Sequence, residues 1–278
     1  MHIIKNRHAE EVSLSNSESE RRIVSGMRPT GKLNLDHLRG VLKHWVQLQH
    51  ENDCFFFVAD LHALTMNHEN SKNIERHSFE TVIGWLAAGV NPGSCTIFLQ
   101  TKVPELTELY LLLSTITPLG WLERVPSYKN LQAKLNDKEL GTYGLLGYPL
   151  LQAADILIYK ARKVPVGPDQ VAHVELTREI ARRFNHIYGR EEGFEEQAEA
   201  AIKLMGKKSA NLYRDLRRSF LEKADSEAQL KARALLEEQQ NLSIGDQERL
   251  YGYLEGGGRI ILPAPEPVLV EPNKVDAG

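Results

Sequence analysis

Cysteine is nearly absent from this chain. Only Cys54 and Cys95 occur among 278 residues. Both lie inside apolar runs with no partner at metal-ligand spacing, so neither a disulfide framework nor a thiolate metal site is expected. They read as reduced core thiols of a cytoplasmic protein. Long hydrophobic runs are missing too. No stretch of 18 apolar residues occurs, so no membrane-spanning helix is expected. Residues 1–21 are polar and mixed in charge and lack the apolar centre of a signal peptide; they read as a loose N-terminal arm. An excess of positive charge is likewise absent. Against 34 Lys and Arg stand 37 Asp and Glu, a net charge of -3, so a nucleic acid would have to meet a local patch. No internal repeat is visible. No Gly-x-Gly-x-x-Gly follows the first strand-like run, and no acidic residue stands where a dinucleotide ribose would need one. A nicotinamide oxidoreductase is therefore a poor fit.

What is present is an ordinary globular composition, 42% hydrophobic and 26% charged, and a regular alternation of element types. Apolar β-type runs cover residues 23–27, 54–58, 95–99 and 163–166. Helical periodicity covers 37–50, a stretch from Ser71 as cap to about Ala88, 105–117, 148–160 and 169–185. This alternation predicts an α/β fold with a parallel, doubly wound sheet over residues 22–189. The texture changes at Gly189. Residues 190–258 are charged and helix-forming, two or three surface helices inserted into or appended to the sheet. Residues 259–278 return to extended, proline-rich chain. Lys207-Lys-Ser209 falls within the charged region and reads as solvated helix surface.

Three segments could carry chemistry. The run from Ser25 to Gly40 links the first strand to the first helix, where unpaired N–H groups and the helix dipole suit a phosphate. The same run also reads as a plain turn. Tyr148, Gln152, Asp155 and Tyr159 are spaced four, three and four apart, so one helix face carries all of them. Asp155 sits among Leu150, Leu151, Ile156 and Leu157 and needs a donor. A neighbour such as Arg162 would serve, and so would a ligand N–H such as that of an indole. Finally, Val164 to Val166 meets a Gly167-Pro168 turn, and Asp169 and Gln170 stand where a long helix opens. In open α/β sheets that crevice binds ligands.

These segments, in this order, resemble the tryptophanyl-tRNA synthetases, a family of class I aminoacyl-tRNA ligases. The likeness runs from about Ile23 to Asn185. It includes Asp60-Leu-His-Ala-Leu-Thr65, similar to the family's active-site rim, and residues 117–124, similar to its subunit contact. It implies a Rossmann-like catalytic domain, a homodimer, and ATP-dependent joining of tryptophan to tRNA(Trp), with Mg²⁺ accompanying ATP and no tightly bound cofactor. Residue by residue, it implies that Tyr148, Gln152, Asp155, Val164, Val166 and Gln170 bind tryptophan. Met27, Arg28, Thr30, Gly31, Asn34, His37, Gly167 and Asp169 would meet ATP, and Asn34, His37 and Lys32 would serve the transferring phosphate. Pro168 replaces a glutamate common in the family's loop.

The family's His/Thr-x-Gly-His/Asn signature reads Asn34, Leu35, Asp36 and His37 here, so Asp36 stands in place of glycine. As a helix cap Asp36 contributes about 0.5–2 kcal/mol. Its charge about 4 Å from a phosphate costs about 4 kcal/mol at an effective dielectric of 20, so weak ATP use and slow activation are expected. A non-catalytic or truncated tryptophan-binding relative is the alternative. The chain to Gly278 holds neither the family's Lys-Met-Ser-Lys-Ser loop nor its anticodon-binding domain.

Overall fold

A computed structural model describes residues 21–66, 68–125, 142–223 and 225–270. The chain divides into two compact units, one running from Glu20 to Arg190 and resuming at Ile260, the other spanning Glu191–Arg259.

Among the described residues the first unit has five parallel strands: β1 Arg22–Met27, β2 Asp53–Val58, β3 Thr96–Leu99, β4 Lys163–Val166 and β5 Glu266–Leu269. Their order across the sheet is β3-β2-β1-β4-β5. The expected doubly wound parallel sheet is therefore present, and β5 supplies the return to extended chain. Both faces are covered, which is why the strands read as near-continuous apolar runs. In register, Ile23 lies opposite Cys54 and Val24 opposite Phe55. One face gathers Ile23, Met27, Cys54, Phe56 and Val58 under helical segments that bring Trp45 and Trp85. Trp45 stacks flat on Phe56 at 4.2 Å and meets Trp85 edge-on at 4.9 Å. The other face gathers Val24, Phe57, Val164 and Val166 beneath Ile156 and Val174. Gly26 has a steric reason to be glycine: a Cβ there would fall 2.3 Å from the Phe57 ring.

The helical connections follow the predicted order with local differences. After β1 comes α1, Leu35–His37, which passes through a π-helical stretch, Leu38–Leu42, into α2, Lys43–Leu48. Asn34 starts it with a capping box, its Oδ1 accepting from the His37 backbone N–H at 3.0 Å. Then follow α3 Asp60–Met66 and α4 Ile74–Ala87. Ser71 does not cap α4 as expected. It lies in a 3₁₀ segment, His68–Asn73, and the N-cap position, Asn73, makes no side-chain cap bond. Beyond β3 come α5 Pro104–Ile116, α6 Leu119–Leu122, α7 Tyr143–Leu146 and α8 Tyr148–Leu157. α8 ends before the expected residue 160, because Lys160 takes a left-handed φ of 51°. Tyr159 thus leaves the helix face and packs against Phe55 and Phe98. β4 leads through a 3₁₀ turn, Pro168–Gln170, into α9, Val171–Tyr188.

Near the end of α9, Asn185 accepts from the N–H groups of Ile261 and Leu262 with Oδ1 and donates to the Leu262 carbonyl with Nδ2, at 2.8–2.9 Å. One side chain thus ties the point of departure of the sheet unit to its point of return.

Among the described residues the second unit has four helices where the texture suggests two or three: α10 Phe194–Leu204, α11 Lys207–Lys223, α12 Ser226–Glu237 and α13 Ile244–Leu254. Ala198, Ala201, Ile202, Tyr213, Ala232 and Leu250 are buried, and the Tyr213 hydroxyl donates to the Leu250 carbonyl at 2.5 Å. Asp225 caps α12, and a Ser243–Asp246 capping box starts α13. Lys207 and Lys208 are exposed on the first turn of α11. No helix among the described residues is long and apolar enough to cross a membrane.

Candidate active site

The strand order reverses between β1 and β4, since the chain reaches β4 only after building β2 and β3 on the opposite side of β1. Such a switch point leaves a crevice beyond the carboxyl ends of the strands. Here it is a cavity of about 350 Å³.

Eleven of the residues selected from the sequence line it. From the β1 exit come Met27, Arg28 and Thr30, and His37 from α1. From α8 come Tyr148, Gln152 and Asp155, and from β4 and its turn Val164, Val166, Gly167 and Gln170. Gly31, Lys32 and Asn34 are not among the lining residues. Gly31 has a φ of +104°, a conformation that favours glycine. Asn34 is occupied as the α1 cap, with Oδ1 also 2.5 Å from His37 Nδ1. The side chains of Asp36 and Asp169 lie outside the described residues, as does the Pro-rich segment from Glu271.

The base of the cavity is a polar cluster in an apolar setting. Asp155 is 1% exposed. Its partners are His62 and Gln100, not Arg162. His62 Nε2 lies 2.8 Å from Oδ2, and Gln100 Nε2 donates to Oδ1 and Oδ2 at 2.7 and 2.9 Å. A carboxylate offers about four acceptor sites, so room remains for one more donor. Burial pushes the Asp155 carboxyl above its usual range, the His62 and Gln100 hydrogen bonds pull it back, and Asp60 pushes it up again.

Gln100 also fixes the entry to α3, because its Oε1 accepts from the N–H groups of Leu61 and His62. Asp60 holds the neighbouring strand exit, accepting from the N–H and hydroxyl of Thr101 at 3.1 and 2.5 Å. The segment Asp60 to Thr65 thus sends His62 inward as a cavity residue while Asp60 serves as a strut.

Above Asp155, Tyr148 stands edge-on between two buried histidines, His62 at 4.3 Å and His173 at 6.5 Å between ring centres. Burial raises the Tyr148 phenol above its usual range; Arg28 counters this and Asp155 adds to it. Tyr148 is therefore a neutral hydroxyl. His173 Nδ1 lies 2.6 Å from Gln152 Oε1. His44 of α2 also lines the cavity, with a buried Nδ1 that has no hydrogen-bond partner.

Gln100, His173 and His44 were not singled out in the sequence. Gln100 follows a strand directly, and His173 lies one helical turn past Gln170; those positions were the available signals. Among the described residues, no group of three or more His, Cys, Asp or Glu is placed to hold a metal ion.

Residues 16–211 match the family model of tRNA synthetases class I (W and Y). The tryptophan–tRNA ligase of Ralstonia nicotianae is 60% identical over 254 residues, covering 91% of this chain and 64% of that protein. That of Thermotoga maritima is 56% identical over 168 residues, covering 60% of this chain and 51% of that protein. The crystal structure of tryptophanyl-tRNA synthetase from Campylobacter jejuni, complexed with ADP and tryptophan, superposes with a TM-score of 0.57 at 38% identity, over 60% of this chain and 51% of that one. The chain spans between about half and two thirds of the length of these relatives. With a matched model over more than half its residues and the switch-point cavity in place, the chain belongs to the class I tRNA synthetases of the tryptophan and tyrosine group.

Proposed function

We propose that the cavity binds tryptophan and Mg²⁺-bound ATP, and that the chain performs the chemistry of a tryptophan–tRNA ligase. The observation that carries the proposal is Asp155, a buried carboxylate with one acceptor position to spare, at the base of a cavity walled by Val164 and Val166. An indole presents one N–H on an apolar body, and a ring without that donor would leave Asp155 short of a partner.

Tyr148 and Gln170 take the ammonium end, and Gln152 contributes a further polar contact. Met27, Arg28, Thr30, Gly31, Gly167 and Asp169 meet the nucleotide. The tryptophan carboxylate attacks the α-phosphorus of ATP. Its oxygen forms the new P–O bond, the bond to the bridging oxygen breaks, and pyrophosphate leaves. Asn34, His37 and Lys32 serve the charge on the phosphoryl oxygens. The protein's work is positioning and electrostatic stabilisation. A terminal ribose hydroxyl of tRNA(Trp) then attacks the carbonyl of the adenylate, the bond to the phosphate oxygen breaks, AMP leaves, and the tryptophanyl group is carried as an ester, in the cytoplasm. Two copies associate through α5 and α6, where Leu111, Leu112 and Leu119 are 64%, 52% and 60% exposed.

Calorimetry tests the first step. Tryptophan should bind, and Asp155→Ala should weaken it by about 1–3 kcal/mol, the value of a hydrogen bond to a charged group. No binding by the unaltered chain, or undiminished binding by the variant, would sink the reading. Tryptophan-dependent exchange of pyrophosphate into ATP then separates a ligase from a tryptophan-binding relative that does not activate. Asp36 favours the relative, and binding without exchange would select it.

A further inference from the structure

We infer that His173 is a positioning residue of this cavity: its Nδ1–H holds the Gln152 amide oxygen, so that Gln152 meets the bound molecule with its NH₂ group, as a hydrogen-bond donor. The inference rests on the tryptophan reading only for the ligand used to test it.

An amide oxygen only accepts, so a ring nitrogen 2.6 Å from Gln152 Oε1 must carry the proton. His173 is therefore protonated at Nδ1, and its tautomer is set by Gln152. The reverse also follows. Held by its oxygen, Gln152 can turn over only if the His173 proton moves from Nδ1 to Nε2 at the same time. His173 is 2% exposed and does not line the cavity, whereas Gln152 does. His173 thus acts through Gln152 and touches no ligand.

The histidine itself is fixed from α9. Its carbonyl accepts from the Thr177 hydroxyl at 2.9 Å, and its ring meets Tyr148 edge-on. On the other side of Tyr148, His62 holds Asp155 in the same manner. Two buried histidines thus set two neighbouring groups of the α8 wall. Asp155 offers an acceptor and Gln152 a donor, one helical turn apart. A ligand suited to this wall has an N–H over Asp155 and an oxygen, such as a carboxylate oxygen, within reach of Gln152.

Two measurements test this. In the ligand-free chain, nitrogen NMR of His173 between pH 6 and 8 should show a protonated Nδ1, and Gln152→Met should abolish that preference. An unprotonated Nδ1 in the parent chain would overturn the inference. Tryptophan affinity should fall about tenfold in His173→Leu, the effect of one lost hydrogen bond. It should be largely restored in His173→Asn, whose amide nitrogen takes the place of Nδ1. In a Gln152→Met background, His173→Leu should change affinity by less than about twofold, because the coupling has no remaining carrier. Equal losses in both backgrounds would make His173 a packing residue and end the proposal. Should the parent chain bind no tryptophan, the proposed function fails, and the tautomer alone decides the role of His173.

Discussion

At the scale of single residues, the role proposed for Asp155 in recognition conflicts with stability. Burial raises its carboxyl above the usual value of 3.8, so the folded state disfavours the ionised form. The associated stability is fully present below that value and is lost as pH rises through the folded one. Asp155→Asn removes the titration and keeps an amide able to meet both Gln100 and His62. Its melting temperature should therefore exceed that of the parent, by more at pH 7 than at pH 4, while tryptophan affinity falls. A gap that shrinks with rising pH would contradict this. The residues around Asp155 also show where sequence reading stops. The need for a donor was legible from the apolar neighbours of Asp155. Its identity was not, because His62 and Gln100 lie 93 and 55 positions away. Arg162, one of the two donors the sequence leaves open, is near in sequence but is not a partner in space.

At the scale of elements, the strands were legible because each is a short apolar run buried on both faces. Helix limits were less so. α8 stops at Leu157 because Lys160 adopts φ 51°, a backbone state that no periodicity encodes. A side chain with a Cβ pays a steric penalty there that asparagine tolerates better. Lys160→Asn should raise stability by about 0.5–1 kcal/mol in urea unfolding. An equal loss would mean that the lysine side chain matters more than its backbone. β1 gives the opposite case. A methyl group at Gly26 would enter the Phe57 ring, so Gly26→Ala should cost at least about 1–3 kcal/mol through overpacking. A neutral outcome would show that Phe57 can swing away. The 3₁₀ segment before α4 was not foreseen either, since Ser71 is a good cap by type but lies inside that segment.

At the scale of the whole molecule, the exposed leucines of α5 and α6 need an explanation, since the buried face of α5 already holds Leu106, Leu113 and Ile116. Trp121, within the segment likened to the subunit contact, is partly buried beneath Arg183, whose guanidinium lies 5.9 Å from its ring. The leucines are thus the better mark of the proposed contact. Light scattering should find a dimer at micromolar concentration and a monomer for the double variant Leu111→Glu, Leu119→Glu. A parent monomer, or a dimer unmoved by both charges, would remove the proposal. The parallel sheet and its switch point followed from the alternation of runs, whereas the Asn185 clamp at the point of return did not, because it joins residues 76 and 77 positions apart.

That clamp has an evolutionary consequence. Chain entering and leaving at Asn185 is held as though by the neck of a loop, whatever lies between. Closing a longer loop costs only about 0.6 kcal/mol per doubling of its length. A lineage can therefore gain, swap or shed a helical cassette here while the sheet stays intact. Replacing residues 191–259 with a short glycine-serine bridge should leave cooperative unfolding of the remainder and its tryptophan affinity within about twofold. If the shortened chain fails to fold, the cassette is a structural partner of the sheet rather than a passenger.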